Sequence, residues 1–330
     1  AVSGRHCTLT GTTRMCERPI GILVEALRQL GAKIDYLEKE GFPPLRFSGF
    51  FPENDQKTIQ VPGHVSSQFI SALLLVAPTL PQGLQLELVG QINSRPYIEM
   101  TLAQMQHFGV QAQWQENKIS VPPQPYQPKT FEVESDWSAA SYWYSFGALS
   151  DDAELLLPGL RQHSLQGDKI VAQLMEPLGV QSAFTPEGVL LKKINQPLPQ
   201  HLHYDFRNCP DLAQTLLVLC AALKVKLQAT GMESLRVKET DRIAALQTEL
   251  PKIGAELREV KEGVFELFIE KEAEKCPVIS TYKDHRMAMS FVPLALRQEL
   301  LIEEPEVVQK SYPKFWEELR EVGVVLEGNI

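Results

Sequence analysis

The chain has 330 residues, 44% of them hydrophobic and 22% charged, with a formal net charge of −9. That length favours two domains, and that composition belongs to a globular protein able to bury a core. The acidic balance excludes bulk binding to nucleic acid or to an anionic membrane surface, so any anion site has to be basic locally. Cys7, Cys16, Cys209, Cys220 and Cys276 are odd in number and include no C-x-x-C pair, which fits a reduced, cytoplasmic protein.

Taken in chain order, an amphipathic helix pattern closing on apolar-Gly-apolar, then strand-like alternation, recurs at Arg18–Ala32, Pro96–Val110, Gly167–Val180, Thr240–Ala255 and Pro313–Val324. The closing residues Gly31, Gly109, Gly179, Gly254 and Gly323 stand where a helix C′ position needs positive φ. Between them lies a second helix type, apolar on nearly every side and therefore buried, beginning at Ser66, Ser138, Asp211 and Asp284. Those starts are 72, 73 and 73 residues apart. A period of about seventy residues, carrying one buried and one amphipathic helix with strands between, predicts an α/β repeat.

The length holds roughly four and a half such units, so an architecture of whole units predicts material missing ahead of Ala1. The proline-rich stretches Val121–Pro128 and Gln196–Pro210 are predicted loops. The first stands just before an alternation at Phe131–Asp136, and the domain boundary is expected near Val133–Ser135, dividing the chain into 1–134 and 135–330.

Two runs carry most of the chemistry. Leu235-Arg236-Val237-Lys238-Glu239-Thr240-Asp241-Arg242 and Asp284-His285-Arg286-Met287-Ala288-Met289 put charged and small polar side chains at helix starts. There, unpaired backbone N–H groups and the helix dipole favour an anion. Val65-Ser66-Ser67-Gln68-Phe69 offers two hydroxyls and an amide at another helix start, suited to holding a phosphate and a sugar-like ring. Taken alone, a Ser-Ser pair there is more often a plain N-cap. Ser94-Arg95-Pro96-Tyr97 reads either as a similar site or as a cap and a partly buried core tyrosine. Asp211 and Glu239, read singly, would be helix caps. Arginines such as Arg18, Arg242 and Arg286 suit an anion because the planar guanidinium grips carboxylate or phosphate with two parallel hydrogen bonds.

Together with Glu17-Arg18-Pro19-Ile20-Gly21, these motifs resemble, in order from about Leu9 to Phe315, those of the EPSP synthase family, the 3-phosphoshikimate 1-carboxyvinyltransferases. The resemblance implies an α/β fold of two domains, an inside-out α/β barrel built from βαβαββ repeats, with a site in the cleft between them. Residues 1–134 would hold about two of three repeats on the shikimate 3-phosphate side, and 135–330 three repeats on the phosphoenolpyruvate side. It implies transfer of the enolpyruvyl group of phosphoenolpyruvate to the 5-hydroxyl of shikimate 3-phosphate, releasing phosphate. Small-molecule substrates, no metal, no organic cofactor and a monomer are expected.

By the same resemblance, Ser66, Ser67, Gln68, Ser94, Tyr97, Asp211, Ser234 and Lys238 would bind shikimate 3-phosphate. Arg18, Gln68, Arg242, Arg286 and Lys310 would bind phosphoenolpyruvate. Asp211 would accept the 5-hydroxyl proton and Glu239 would donate a proton, while His285 would either assist proton transfer or orient its neighbours. Ser234 stands where members often carry Asn, and Trp137 is a bulky intrusion in Asp136-Trp137-Ser138-Ala139-Ala140-Ser141. Members also carry roughly a hundred further residues at the start, as the repeat count would have it. On the expectation that this first repeat is missing, the competing reading is a catalytically incompetent anion-binding fragment. A sister transferase acting on UDP-N-acetylglucosamine fits less well, because it carries Gly-Gly-Cys shortly before its Arg-Pro and Cys16 has no such glycine pair.

Overall fold

The computed structural model describes residues 1–52, 58–64, 66–269 and 272–328, and the chain falls into two compact units, Ala1–Glu132 and Val133–Ile330. Val65, the first residue of the Ser66 motif, lies outside the described residues.

The first unit opens with β1 (Cys7–Leu9), α1 (Thr13–Cys16), α2 (Gly21–Gln29), β2 (Ala32–Tyr36) and β3 (Leu45–Phe50), whose strands form an antiparallel sheet ordered β1-β3-β2. It continues with β4 (Thr58–Pro62), α3 (Ser67–Val76), β5 (Leu84–Val89), α4 (Arg95–His107), β6 (Gln113–Gln115) and β7 (Lys118–Val121). Here the sheet order is β4-β5-β7-β6, with β4 parallel to β5 and the other pairs antiparallel. Parallel neighbours need a crossover, which α3 supplies. Alternating Ile59, Val61, Leu84, Leu86 and Leu88 bury one sheet face in the same cluster as Ile70, Leu73 and Leu74 of α3.

The second unit begins with α5 (Trp137–Leu149), β8 (Glu154–Pro158), α6 (Val171–Met175), β9 (Val180–Phe184) and β10 (Gly188–Lys193), an antiparallel sheet ordered β8-β10-β9. Next come β11 (His201–Asp205), α7 (Ala213–Leu223), β12 (Lys226–Thr230), α8 (Arg242–Glu249), β13 (Ala255–Lys261) and β14 (Val264–Ile269). Their order β11-β12-β14-β13, with β11 parallel to β12, repeats that of the β4–β7 sheet. Last are β15 (Val278–Ile279), α9 (His285–Phe291), β16 (Leu301–Ile302), parallel to β15, and α10 (Phe315–Glu321). The apolar helices α5, α7 and α9 pack on one another inside this unit and supply much of its core.

All five closing glycines have positive φ, between 84° and 102°. Several helices stop short of the sequence pattern. Predicted Thr240–Ala255 is α8 to Glu249 followed by a 3-10 turn holding Pro251, and predicted Gly167–Val180 is interrupted the same way at Pro177. A proline lacks the N–H that would continue the ladder, and its ring crowds the carbonyl four residues back. Two further expectations need correction. The Gln196–Pro210 stretch is not all loop, because His201–Asp205 pairs with Lys226–Thr230 as a strand. The Phe131–Asp136 alternation forms no strand. Its last residue, not Ser138, begins the buried helix: the Asp136 carboxylate accepts from the N–H groups of Ser138 and Ala139.

Helices α3, α4, α7, α8 and α9 all start beyond the carboxyl ends of strands, where open α/β sheets bind ligands. The approach to α8 is tight. Gly231 has φ +69°, and a Cβ there would lie 2.2 Å from Asp205 Oδ1 and 2.5 Å from the Arg207 nitrogen. Replacing Gly231 by Ala is therefore expected to cost about 2 kcal/mol or more, read as a lowered urea midpoint for the unfolding transition of the second unit.

Candidate functional site

The centre of the second unit's polar constellation is Arg242, the first residue of α8, which is 1% exposed. Its Nε donates to Asp284 Oδ2 at 2.7 Å, Nη1 to Asp211 Oδ1 at 3.0 Å and Nη2 to Glu239 Oε2 at 2.9 Å. Arg286 Nη2 donates to the other Asp211 oxygen at 3.0 Å, and its Nη1 to the Tyr142 hydroxyl at 3.4 Å. Lys238 Nζ stands 3.7 Å from Asp211 Oδ1, and Lys310 Nζ donates to Glu239 Oε1 at 3.2 Å. Four cations thus face three carboxylates, an excess of one positive charge within an acidic chain.

Capping is done by other residues. Asp241 caps α8 by accepting from the Ala244 N–H, and Asp284 caps α9 by accepting from the Arg286 N–H. Asp211 sits in the 3-10 turn Pro210–Leu212 and makes no cap hydrogen bond. The simple cap reading of Asp211 and Glu239 therefore falls, because Asp241 holds the N-cap of α8, Asp211 makes no cap bond, and both carboxylates engage cations.

The electrostatics follow from that arrangement. Burial works to raise the Asp211 pKa, but Arg286, Lys238 and Arg242 outweigh it and hold the carboxyl well below its ordinary range. Burial likewise opposes ionisation of Glu239, and Arg242, a backbone hydrogen bond and Lys310 overcome it, lowering its pKa to about 2. His285 is depressed to about 4, by burial first and the Arg286 charge second, so the ring is neutral at pH 7. Among the described residues its Nδ1 has no hydrogen-bond partner. Ser234, half-buried in the 3-10 turn Glu233–Val237, precedes Lys238 on the same approach to α8.

The first unit holds the remaining expected residues. Ser66 occupies the N-cap position of α3 without making a side-chain cap bond, and Ser67 and Gln68 form the first turn. Ser94, before α4, is nearly buried and adopts φ +55°, a conformation rare outside glycine, again without capping. The two approaches are joined by the Gly63 N–H donating to Val89 O at 2.8 Å and the Asn93 N–H donating to Gly63 O at 2.9 Å. Deeper, Ser71 and Thr101 hydroxyls join α3 to α4 at 2.7 Å, and Thr101 also donates to Tyr97 O. Ser66, Ser67, Gln68, Ser94 and Tyr97 therefore stand at neighbouring helix starts. Arg18 lies apart from them in sequence, half-buried between α1 and α2.

The family model for EPSP synthase (3-phosphoshikimate 1-carboxyvinyltransferase) matches residues 1–319. The chain belongs to the EPSP synthase family. A 3-phosphoshikimate 1-carboxyvinyltransferase of Bacteroides fragilis is 51% identical over 319 residues, covering 96% of this chain and 77% of the relative. Those of Vibrio cholerae and Methanospirillum hungatei are 37% and 36% identical, each across 73% of its length. Among solved structures, EPSP synthase from Acinetobacter baumannii superposes with a TM-score of 0.73 at 23% identity, over 99% of this chain and 76% of that one. The enolpyruvyl transferase NikO from Streptomyces tendae gives 0.71 at 12% identity, over 97% and 73%. These likenesses establish the α/β fold of the enolpyruvyl transferases. The expectation of a unit missing ahead of Ala1 gains no support from the family match, which begins at residue 1.

Two participants escaped the sequence-based list of site residues. Asp284 opens a quoted motif, so its presence was visible but its grip on Arg242 was not. Tyr142 lies within the apolar run of α5 and carries no sequence signal.

The depressed pKa values fix the direction of acid sensitivity. An unfolded His285 would titrate near 6.5 and the folded one near 4, so the unfolded state binds more protons in that window and stability falls as pH drops through it. Glu239, lowered from 4.5 to about 2, adds a loss over that lower range. Denaturation midpoints measured from pH 7 to 3 should therefore decline, and His285→Gln should flatten the upper part of the decline while leaving the part below pH 4.

Proposed function

We propose that this chain, an enolpyruvyl transferase built from βαβαββ units, moves the enolpyruvyl group of phosphoenolpyruvate onto the 5-hydroxyl of shikimate 3-phosphate and releases phosphate. The observation that carries this reading is the group of two uncapping carboxylates, Asp211 and Glu239, held among Lys238, Arg242, Arg286 and Lys310. Family membership and the name of the 51% identical relative point the same way.

In this reading Ser66, Ser67, Gln68, Ser94 and Tyr97 hold shikimate 3-phosphate through hydroxyl, amide and backbone groups at two helix starts, with Ser234 and Lys238 completing its contacts. Arg18, Arg242, Arg286 and Lys310 hold phosphoenolpyruvate, with Gln68 reaching both ligands. Asp211, kept ionised by its cations, takes the 5-hydroxyl proton as that oxygen bonds to C2 of phosphoenolpyruvate. Glu239 delivers a proton to C3, giving a tetrahedral intermediate. Elimination then breaks the C2–O bond to phosphate as C3 returns its proton to Glu239. Phosphate departs against the guanidinium groups, taking up the proton held by Asp211 and so regenerating the base.

Glu239 has a pKa of about 2 without ligand, too low for a proton donor at neutral pH. The carboxylate and phosphate of phosphoenolpyruvate correct this by claiming the same cations and adding negative charge beside it, both of which raise its pKa. His285, neutral and beside Arg286, adds no charge to the site and would either assist proton transfer or orient its neighbours.

Inorganic phosphate released from a mixture of shikimate 3-phosphate and phosphoenolpyruvate, and from neither alone, is the expected result. Release that does not depend on shikimate 3-phosphate would overturn the reading. Arg286→Ala should raise KM for phosphoenolpyruvate by about tenfold to a hundredfold while changing KM for shikimate 3-phosphate far less. Equal losses for both would remove Arg286 from its role. Asp211→Asn, which keeps the shape and loses the base, should lower kcat by about a hundredfold or more.

A further inference from the structure

The cation cluster is fixed by Asp284 and Arg286, and both follow a turn that would not hold itself. Tyr282 and Lys283 are consecutive non-glycine residues at φ +55° and +57°, a left-handed pair that side chains disfavour. Such a turn persists only where its surroundings impose it. The other end of α8 does so. Glu249, the last residue of that helix, is fully buried, and its Oε1 accepts from the Tyr282 hydroxyl at 2.7 Å while Oε2 accepts from the Ser280 N–H at 3.1 Å. Lys252 donates both to Glu249 Oε2 and to the carbonyl of Val278, each at 2.7 Å, tying the same corner to β15.

Helix α8 and the segment 280–284 are therefore fastened at two points in opposite order. Arg242 at the start of the helix meets Asp284, and Glu249 at its end meets Ser280 and Tyr282. Eight residues of helix span about 12 Å, so two fixed ends set both the spacing and the tilt of the segment against the helix. A single attachment at Arg242 would leave the segment free to pivot about that ion pair. Tyr282 has its hydroxyl pKa raised to about 12, by burial and then by its bond to Glu249, so it remains a donor across the working range.

We propose that the buried Glu249 carboxylate and the Tyr282 hydroxyl form a positioning clamp that sets where Asp284, His285 and Arg286 present themselves to the anionic substrate. Neither residue touches substrate. The clamp rests on the proposed transferase reading only in the choice of ligand. Its mechanical content, that Glu249 and Tyr282 set the placement of residues 284–286, is independent of it. Small displacements of cation-bearing groups carry large kinetic penalties, which makes such a clamp matter to rate.

The test uses the full chain, with Tyr282→Phe as the main variant and Glu249→Gln as the second. Tyr282→Phe removes one hydroxyl and leaves Glu249 bonded to Lys252 and Ser280, so the fold should survive, which a thermal midpoint within a few degrees of the parent confirms. The expected kinetic result is a rise of about tenfold in KM for phosphoenolpyruvate with KM for shikimate 3-phosphate within about twofold. The His285 ring resonance, assigned by its loss in His285→Gln, should shift in both variants, and the two changes combined should be less than additive because both weaken the same corner. An unmoved His285 resonance with parental KM values would overturn the clamp while leaving the transferase reading intact. If the parent chain itself released no phosphate, the transferase reading would fail, and the His285 resonance alone would decide the clamp: a shift in both variants supports it, an unmoved signal overturns it.

Discussion

The second unit's functional half depends on the burial of one guanidinium. Arg242 is 1% exposed and its three nitrogens are assigned to three carboxylates from three different segments: Asp284 before α9, Asp211 before α7 and Glu239 before α8. Taking such a charge out of water costs several kcal/mol, and only a full set of directed hydrogen bonds offsets it. A lysine could not replace it, since an ammonium is a point charge on a flexible stem, whereas the guanidinium fork presents its donors in fixed directions. The ion pairs therefore act as a locator more than as a source of stability. They bring the starts of three helices to one guanidinium, and each carboxylate is held in place by the arginine it neutralises.

A division of labour among the acidic residues makes this possible. Asp136, Asp241 and Asp284 satisfy the orphan N–H groups at the starts of α5, α8 and α9. With α8 already capped by Asp241, Glu239 is available for cations, while Asp211, before the uncapped α7, serves cations instead of a cap; in the proposed reaction both also serve protons. Asp284 serves both purposes inside the cluster, capping α9 through Oδ1 and holding Arg242 chiefly through Oδ2. That double use explains its complete burial: both oxygens are occupied within the protein, leaving it no work at the surface.

Features governed by local sequence were legible beforehand, and those governed by long-range pairing were not. The glycines that close the helices could be read because the requirement for positive φ is local. The buried helices announced themselves through uninterrupted apolar composition, as in Ala213–Leu223. The strand His201–Asp205 was hidden because it owes its existence to Lys226–Thr230 more than to its own proline-flanked sequence. Residues Asp211 and Glu239 could be singled out only through a family resemblance, since each alone reads as a cap. Glu249 and Tyr282, 33 residues apart and both ordinary in context, gave no sign of their hydrogen bond. A buried acid inside an amphipathic pattern looks like any solvated glutamate until its partners are known.

The cluster also contains a gradient of freedom that bears on how an anion would enter. Arg242 is fixed, because Asp284 holds it and is itself sealed beneath the helix start. Lys310 stands at the other extreme, with its side chain 56% exposed and, among the described residues, a carboxylate contact to Glu239 at 3.2 Å. In the proposed reaction an arriving phosphate competes most easily for this exposed cation, and the residue that loses a partner is Glu239. Asp211 keeps Lys238 and Arg242 even if Arg286 turns to the ligand, so it stays ionised and able to accept a proton. Lys310 is one of the cations that depress Glu239, so losing it to the ligand raises the proton affinity of that carboxyl. Two carboxylates that begin in similar charged states are thereby separated into base and acid by the ligand, and what separates them is how firmly each neighbouring cation is anchored.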